Sequence, residues 1–207
     1  MIHGSTGITV KDNICFDIQG HAIFLEDAVE RRNTLEGNLV LKVRNPAKPL
    51  LKHEDTSSGF WVVNPDNTLR GNAVGDISGH GYWLAFPKQT LGTNKNVKLL
   101  PSSLPFGVFE DNVAHSVSND GVHIDSVPKD STVGELEGNK YTPTTDGSAY
   151  NYQNGVRFKL SRVTVYKNGA YWGAGGGIWN RNTFPDFEEW VSSDQMWNWF
   201  AARGTTA

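Results

Sequence analysis

With 207 residues the chain has room for one domain of ordinary size. Its 22 glycines and 20% charged residues suit a turn-rich all-β fold, and a net charge of −3 without a basic run argues against general affinity for nucleic acid. No stretch of about 18 apolar residues reads as a membrane span, and the N-terminal MIHGSTGITV lacks the pattern of a signal peptide.

The predicted elements repeat along the chain. Val10 stands three residues before Asn13, and Ala22 follows nine after it and opens the short strand at Ile23. A second copy has Leu35, Asn38 and then Leu39, Leu41 and Val43. A third has Leu69, Asn72 and Gly81, a fourth Phe109, Asn112 and Gly121, and a fifth Val165, Asn168 and Gly177. The Asn-to-Asn spacing begins at 25 and grows to 34, 40 and 56, so a coil of roughly 25 residues carries growing insertions. Short strands and few helix signals in such a unit predict a right-handed parallel β-helix of about five coils over residues 1–182. Each asparagine alone could be a solvated turn residue. Several in register predict a ladder of buried amides bonded from coil to coil. Cys15, the only cysteine, excludes an internal disulfide and reads as a packed thiol.

Three segments break the pattern, at about 44–58, 87–105 and 126–155. They are rich in Pro, Ser, Thr, Gly and Asn, and loops grouped on one side of a solenoid wall its binding face. In the tail, residues 183–207, the period changes. Phe187, Trp190, Val191, Met196, Trp197 and Phe200 approximate one helical face with Thr183 and Asp186 as caps, which predicts a helix covering the end of the solenoid.

Alternation along the strand after the Gly or Ala assigns Ile23, Tyr82, Val122 and Ile178 to the core. Phe24, Trp83, His123 and Trp179 then face outward, with Glu26, Ala85, Asp125 and Arg181 in the next outward column. Two readings stay open for this row. Exposed aromatics would stack on sugar rings, which makes Phe24, Trp83, His123, Asp125 and Trp179 substrate-binding candidates; alternatively the insertions fold over them as a satellite core. The catalytic candidates are His21 and His80, each after a glycine, and Glu26 with Asp27 in the densest acidic cluster. Paired carboxylates about 5–9.5 Å apart run glycoside hydrolysis. For the two histidines a structural hydrogen bond at a turn is an equal alternative. No HExxH or EF-hand spacing marks a metal site, and His3, His53 and His115 gain no support from the columns.

The segment 3–40 resembles the group that contains the cell migration-inducing hyaluronan-binding protein, the cell-surface hyaluronidase and fibrocystin-L. These share GHxxFLEDGxExxN, matched here by Gly20, His21, Phe24, Leu25, Glu26, Asp27, Glu30 and Asn33, with Ala28 where the group usually has Gly. Residues 60–86 resemble the next coil, and the likeness continues to about Asp125 and returns faintly over 156–179. The resemblance implies a parallel β-helix in an extracellular or surface-attached protein, a hyaluronan-type polysaccharide as partner and calcium as the one suggested cofactor. The upstream domain of these proteins has no counterpart here, which predicts that the chain is part of a longer one. Three functional readings follow: a polysaccharide hydrolase, with a lyase as its variant; a non-catalytic carbohydrate-binding helix; and a structural or adhesive segment.

Overall fold

The computed structural model describes residues 1–169 and 175–202. Three sheets, each of six parallel strands, run the length of the molecule. The first comprises Thr9–Lys11, Thr34–Glu36, Thr68–Arg70, Val108–Glu110, Phe158–Ser161 and Pro185–Glu188. The second comprises Ile14–Gln19, Leu39–Arg44, Ala73–Ile77, Val113–Val117, Thr164–Tyr166 and Val191–Ser193. The third comprises Ile23–Phe24, Phe60–Val62, Tyr82–Leu84, Val122–Ile124, Ile178–Arg181 and Trp199–Ala202. The chain visits the three sheets in turn, and each visit adds one strand to each, which is a parallel β-helix. No helix among the described residues is long and apolar enough to cross a membrane.

Local chemistry makes the coil. Between the first and second sheets stands a column of left-handed residues: Asp12, Gly37, Gly71, Asp111, Arg162 and Glu189, with φ between 49° and 64°. Gly and Asp adopt this conformation at lowest cost, and they fill the first four positions. The asparagine follows directly. Asn13 Nδ2 donates to Asn38 Oδ1 at 3.0 Å, Asn38 to Asn72 at 2.9 Å, and Asn72 to Asn112 at 3.1 Å. Each acceptor oxygen also takes the backbone N–H of the asparagine one coil earlier. Inward residues of the three sheets close the core, among them Leu35, Leu69, Val74, Phe60 and Val122. Tyr82 belongs to this core because its hydroxyl donates to the Asn72 carbonyl at 2.8 Å, and Cys15 packs against its edge.

Two expectations are corrected. The ladder ends at Asn112, because the fifth coil carries Val163 at that level: Val113 pairs with Thr164. Asn168 lies after the second-sheet strand instead, where it donates to Ala114 O and Gln195 Oε1. Val165 pairs with Ala114, and Leu160 holds the level assigned to it. Gly177 nevertheless opens its strand in line with Gly121, since Ile178 pairs with Val122.

The tail is a sixth coil, not a capping helix. Residues 203–207, the end of the proposed helix, lie outside the described residues. Phe187, Val191 and Trp199 pair in register with Leu160, Thr164 and Ile178. Glu189 and Asp194 are left-handed, at φ 52° and 51°, which a helix interior does not tolerate. The apolar spacing that mimics a helical face arises from corners between short strands.

The insertions, residues 45–59, 85–107 and 125–157, all approach the outer side of the third sheet. Leu91, Val127 and Val133 pack there with Trp61, Val63, Trp83 and Ala85 as a second apolar cluster.

Candidate functional site

The outward row of the third sheet runs Phe24, Trp61, Trp83, His123, Trp179, Phe200, one residue per coil. The expected alignment is present, but its centre is not an open face. Trp61 is 1% exposed, Trp83 2% and His123 7%. The insertions seal the middle of the row: Leu91, Val127 and Val133 pack on Trp61 and Trp83, and burying two indoles removes a large apolar area from water. Trp83 and His123 are therefore inaccessible to a polysaccharide. Asp125 is also buried: its carboxylate accepts Trp179 Nε1–H and Arg181 Nε–H at 2.7 Å, and Asn139 N–H at 2.9 Å. Of the substrate-binding candidates, Phe24 and Trp179 at the two ends remain partly accessible.

At the Phe24 end all three insertions meet. Leu51 and His53 come from the first, Leu91 and Gly92 from the second, and residues 131–133 from the third; with Phe24, Glu26 and Trp61 they enclose a cavity of about 190 Å³. Phe24, Glu26 and Leu51 also line an adjoining cavity of about 490 Å³ that reaches His21 and Glu54. The two together form a groove across the first coil.

The groove's polar groups are arranged in two sets. In one, Ser58 N–H donates to His21 Nδ1 at 3.0 Å, so the proton of His21 sits on Nε2 and points to His53 Nδ1 at 2.7 Å. Burial pushes both imidazoles down, His21 well below its ordinary value and His53 to about 4, so the pair is neutral at physiological pH. His53 stacks on Trp61 with ring centroids 4.3 Å apart. In the other set, His3 Nδ1 lies 2.8 Å from Glu26 Oε2 and 3.8 Å from Asp27 Oδ2. The Glu26 hydrogen bond raises the pKa of His3. Glu26 is the half-buried carboxylate facing the groove. Glu30 is buried, accepts Gly4 N–H and Asp27 N–H, and is raised by desolvation.

Asp27 does a different job. Its Oδ2 accepts Thr93 Oγ1–H at 2.9 Å, Asn94 N–H at 3.2 Å and Asn94 Nδ2–H at 2.7 Å, and its carbonyl takes Leu91 N–H. Gly92, at φ +52°, presses on Oδ1 so closely that a Cβ there would overlap it. The carboxylate thus clasps the turn 92–94 of the second insertion. Asp27→Ala is expected to release this turn, since it removes the acceptor of three hydrogen bonds from Thr93 and Asn94, each contributing about 0.5–1.5 kcal/mol. Limited proteolysis within residues 87–105 should accelerate severalfold; an unchanged cleavage rate would show that the clasp contributes nothing.

Calcium fits this cluster poorly. It takes six to eight oxygen ligands, whereas His3 brings nitrogen and Asp27 Oδ2 already accepts three hydrogen bonds from Thr93 and Asn94.

Of the predicted catalytic residues, the fold brings His21, Glu26 and Asp27 to the groove. His80 is elsewhere, in a buried group with Asp120 and His123. The columns missed His3 and His53, which reach the groove from a terminal segment and an insertion, and Trp61, whose coil lacks the nine-residue spacing; the continuous apolar FWVV run was the available signal for it.

Residues 1–122 match the family model described as the CEMIP beta-helix. The chain is 29% identical over 217 residues to human cell surface hyaluronidase CEMIP2, covering 88% of the chain and 16% of that protein. It is 36% identical over 115 residues to human fibrocystin-L, covering 56% and 3%, and 26% identical over 211 residues to the mouse cell migration-inducing and hyaluronan-binding protein, covering 86% and 16%. The chain thus spans less than a fifth of the length of these relatives.

Proposed function

Because the chain belongs to the CEMIP β-helix family, we propose that it is a carbohydrate-binding β-helix whose groove at Phe24, Glu26 and His53 takes a hyaluronan-type polysaccharide at the cell surface or outside the cell. The observation that carries this reading is the convergence of three separate insertions on one groove beside an accessible aromatic ring. Loops held by a rigid scaffold are where binding residues concentrate. The inner cavity is smaller than drug-sized sites of about 300–1,000 Å³, which suits a single ring of a polymer whose neighbours occupy the wider adjoining part. Phe24 offers its face to the apolar side of a sugar, and Glu26 and His3 bond hydroxyls. Calorimetric titration with hyaluronan oligosaccharides tests this. Phe24→Ala is expected to weaken binding about tenfold, or about 1.4 kcal/mol; equal affinity in the variant would remove the groove from consideration.

A second reading is acid/base hydrolysis, favoured by Glu26, a carboxylate facing the cavity and hydrogen-bonded to His3. Glu26 would protonate the glycosidic oxygen while a second group stabilises the oxocarbenium-like charge or activates water. Asp27, held by Thr93 and Asn94, would act through the turn it clasps. Size-defined hyaluronan separates the readings. Shortening that disappears in Glu26→Gln with binding retained supports cleavage, and an unsaturated product end marks a lyase. Binding without shortening leaves the non-catalytic reading.

A further inference from the structure

We infer that His80, Asp120 and His123 form a buried site for one divalent ion of the zinc class, separate from the groove. The three side chains come from neighbouring coils. His80 and Asp120 precede the Gly81 and Gly121 that open their strands, and His123 is the outward residue of the same strand as Gly121's successor. Asp120 Oδ2 lies 2.7 Å from His123 Nδ1 and 3.4 Å from His80 Nδ1, and the three ligand atoms all fall within 4.8 Å of one another. A tetrahedral ion bound at about 2.0–2.1 Å holds its ligand atoms roughly 3.3 Å apart. The side chains are thus close to the required spacing before any ion enters.

The polar atoms also converge on one point. Asp120 N–H makes a long contact to His80 Nδ1 at 3.4 Å, which an ion would displace. Asp120 Oδ2 lies beside that nitrogen and beside His123 Nδ1. Asp120 Oδ1 is held by Gly176 N–H at 3.1 Å, which orients Oδ2 toward the two rings. His123 Nε2 is buried with no partner, so nothing outside the cluster fixes the tautomer of this ring and its Nδ1 is free to become a lone-pair donor. His80, Asp120 and His123 are 6%, 4% and 7% exposed, and the edge of Trp83 meets both rings. Two imidazoles and a carboxylate in a dry pocket suit zinc or cobalt(II) and not calcium. The two rings stack with centroids 3.8 Å apart and planes 27° apart, so binding would open this stack and move His123 Nδ1 away from Asp120, with the ring proton passing from Nδ1 to Nε2 so that a neutral imidazole serves as ligand.

The test is metal titration of the chelator-treated chain with Zn²⁺ by calorimetry and with Co²⁺ by visible absorption. One equivalent of Zn²⁺ and a tetrahedral Co²⁺ spectrum are expected. Asp120→Asn and His80→Gln, both close in shape to the native residues, should each weaken binding about a hundredfold or more, while His3→Ala, in the groove, should leave it unchanged. Absence of stoichiometric binding by the native chain overturns the inference. So does binding that survives both cluster substitutions or is lost in His3→Ala. Far-ultraviolet circular dichroism of each variant separates loss of ligand from loss of fold, and an unfolded variant is replaced by His123→Gln, for which the same weakening is required.

Discussion

Asn72→Ala is expected to destabilise the protein by about 3 kcal/mol, against less than about 1 kcal/mol for Asn13→Ala. Both residues sit in the same column, and the difference lies in what each leaves behind. Asn72 is fully buried. Its Oδ1 accepts two hydrogens from Asn38, and its Nδ2 serves Leu35 O and Asn112 Oδ1. Alanine strands the Asn38 N–H and the Leu35 carbonyl where water cannot reach, and each such group costs about 1–3 kcal/mol. Asn13 is exposed at the end of the row, so water replaces what its side chain gave. Urea unfolding, with the slope checked for constancy, measures both. Equal losses at the two positions would mean that the ladder decorates the coil without holding it.

The second large effect is a dependence of stability on pH centred on His53. Its imidazole titrates at about 4 in the folded chain, against about 6.5 when unfolded. Between these values the unfolded chain holds a proton that the folded chain lacks, so stability rises with pH through the window and is lost on acidification. Going from pH 7.5 to 5 should cost about 2 kcal/mol through this residue. His21, depressed in the same way by burial, adds in the same direction, and Glu30, raised by burial, opposes it. The comparison that isolates His53 is the same acidification applied to His53→Phe. Phenylalanine keeps the stack on Trp61 and removes the proton. Leaving His21 Nε2–H without its acceptor costs a similar amount at either pH, so it largely cancels. The variant should lose about 2 kcal/mol less than the native chain over this range; an identical loss would place the acid sensitivity elsewhere.

Much of the groove was legible one residue at a time but not as a site. Glu26 and Asp27 stood out as an acidic pair, yet adjacent residues on a chain leaving a strand need not share a task. Asp27 turned back to clasp Thr93 and Asn94, 66 and 67 residues away, while Glu26 stayed at the groove. His21 and His80 looked equivalent because each follows a glycine. Their coils differ in what lies above them: an insertion brings His53 to His21, whereas Asp120 of the next coil meets His80. The tail failed as a helix because Phe187, Trp190 and Val191 mark a corner between two strands, which over a few residues has the same apolar spacing as a helical turn.

What the sequence by itself determined was the coil. In the first four coils Gly or Asp, then Asn, then an alternating apolar strand is a local pattern, and stacking it on itself satisfies the amides and buries the inward residues without reference to anything distant. The outward columns followed from the same alternation. Only the tertiary structure decided which of those outward residues meet water. Whether Trp83 is a platform or a core depends on Leu91, Val127 and Val133 settling on it from two different insertions, and insertions have no period from which their landing place can be read. The groove at Phe24 exists for the same reason: it is the place on that sheet where the insertions come together without closing.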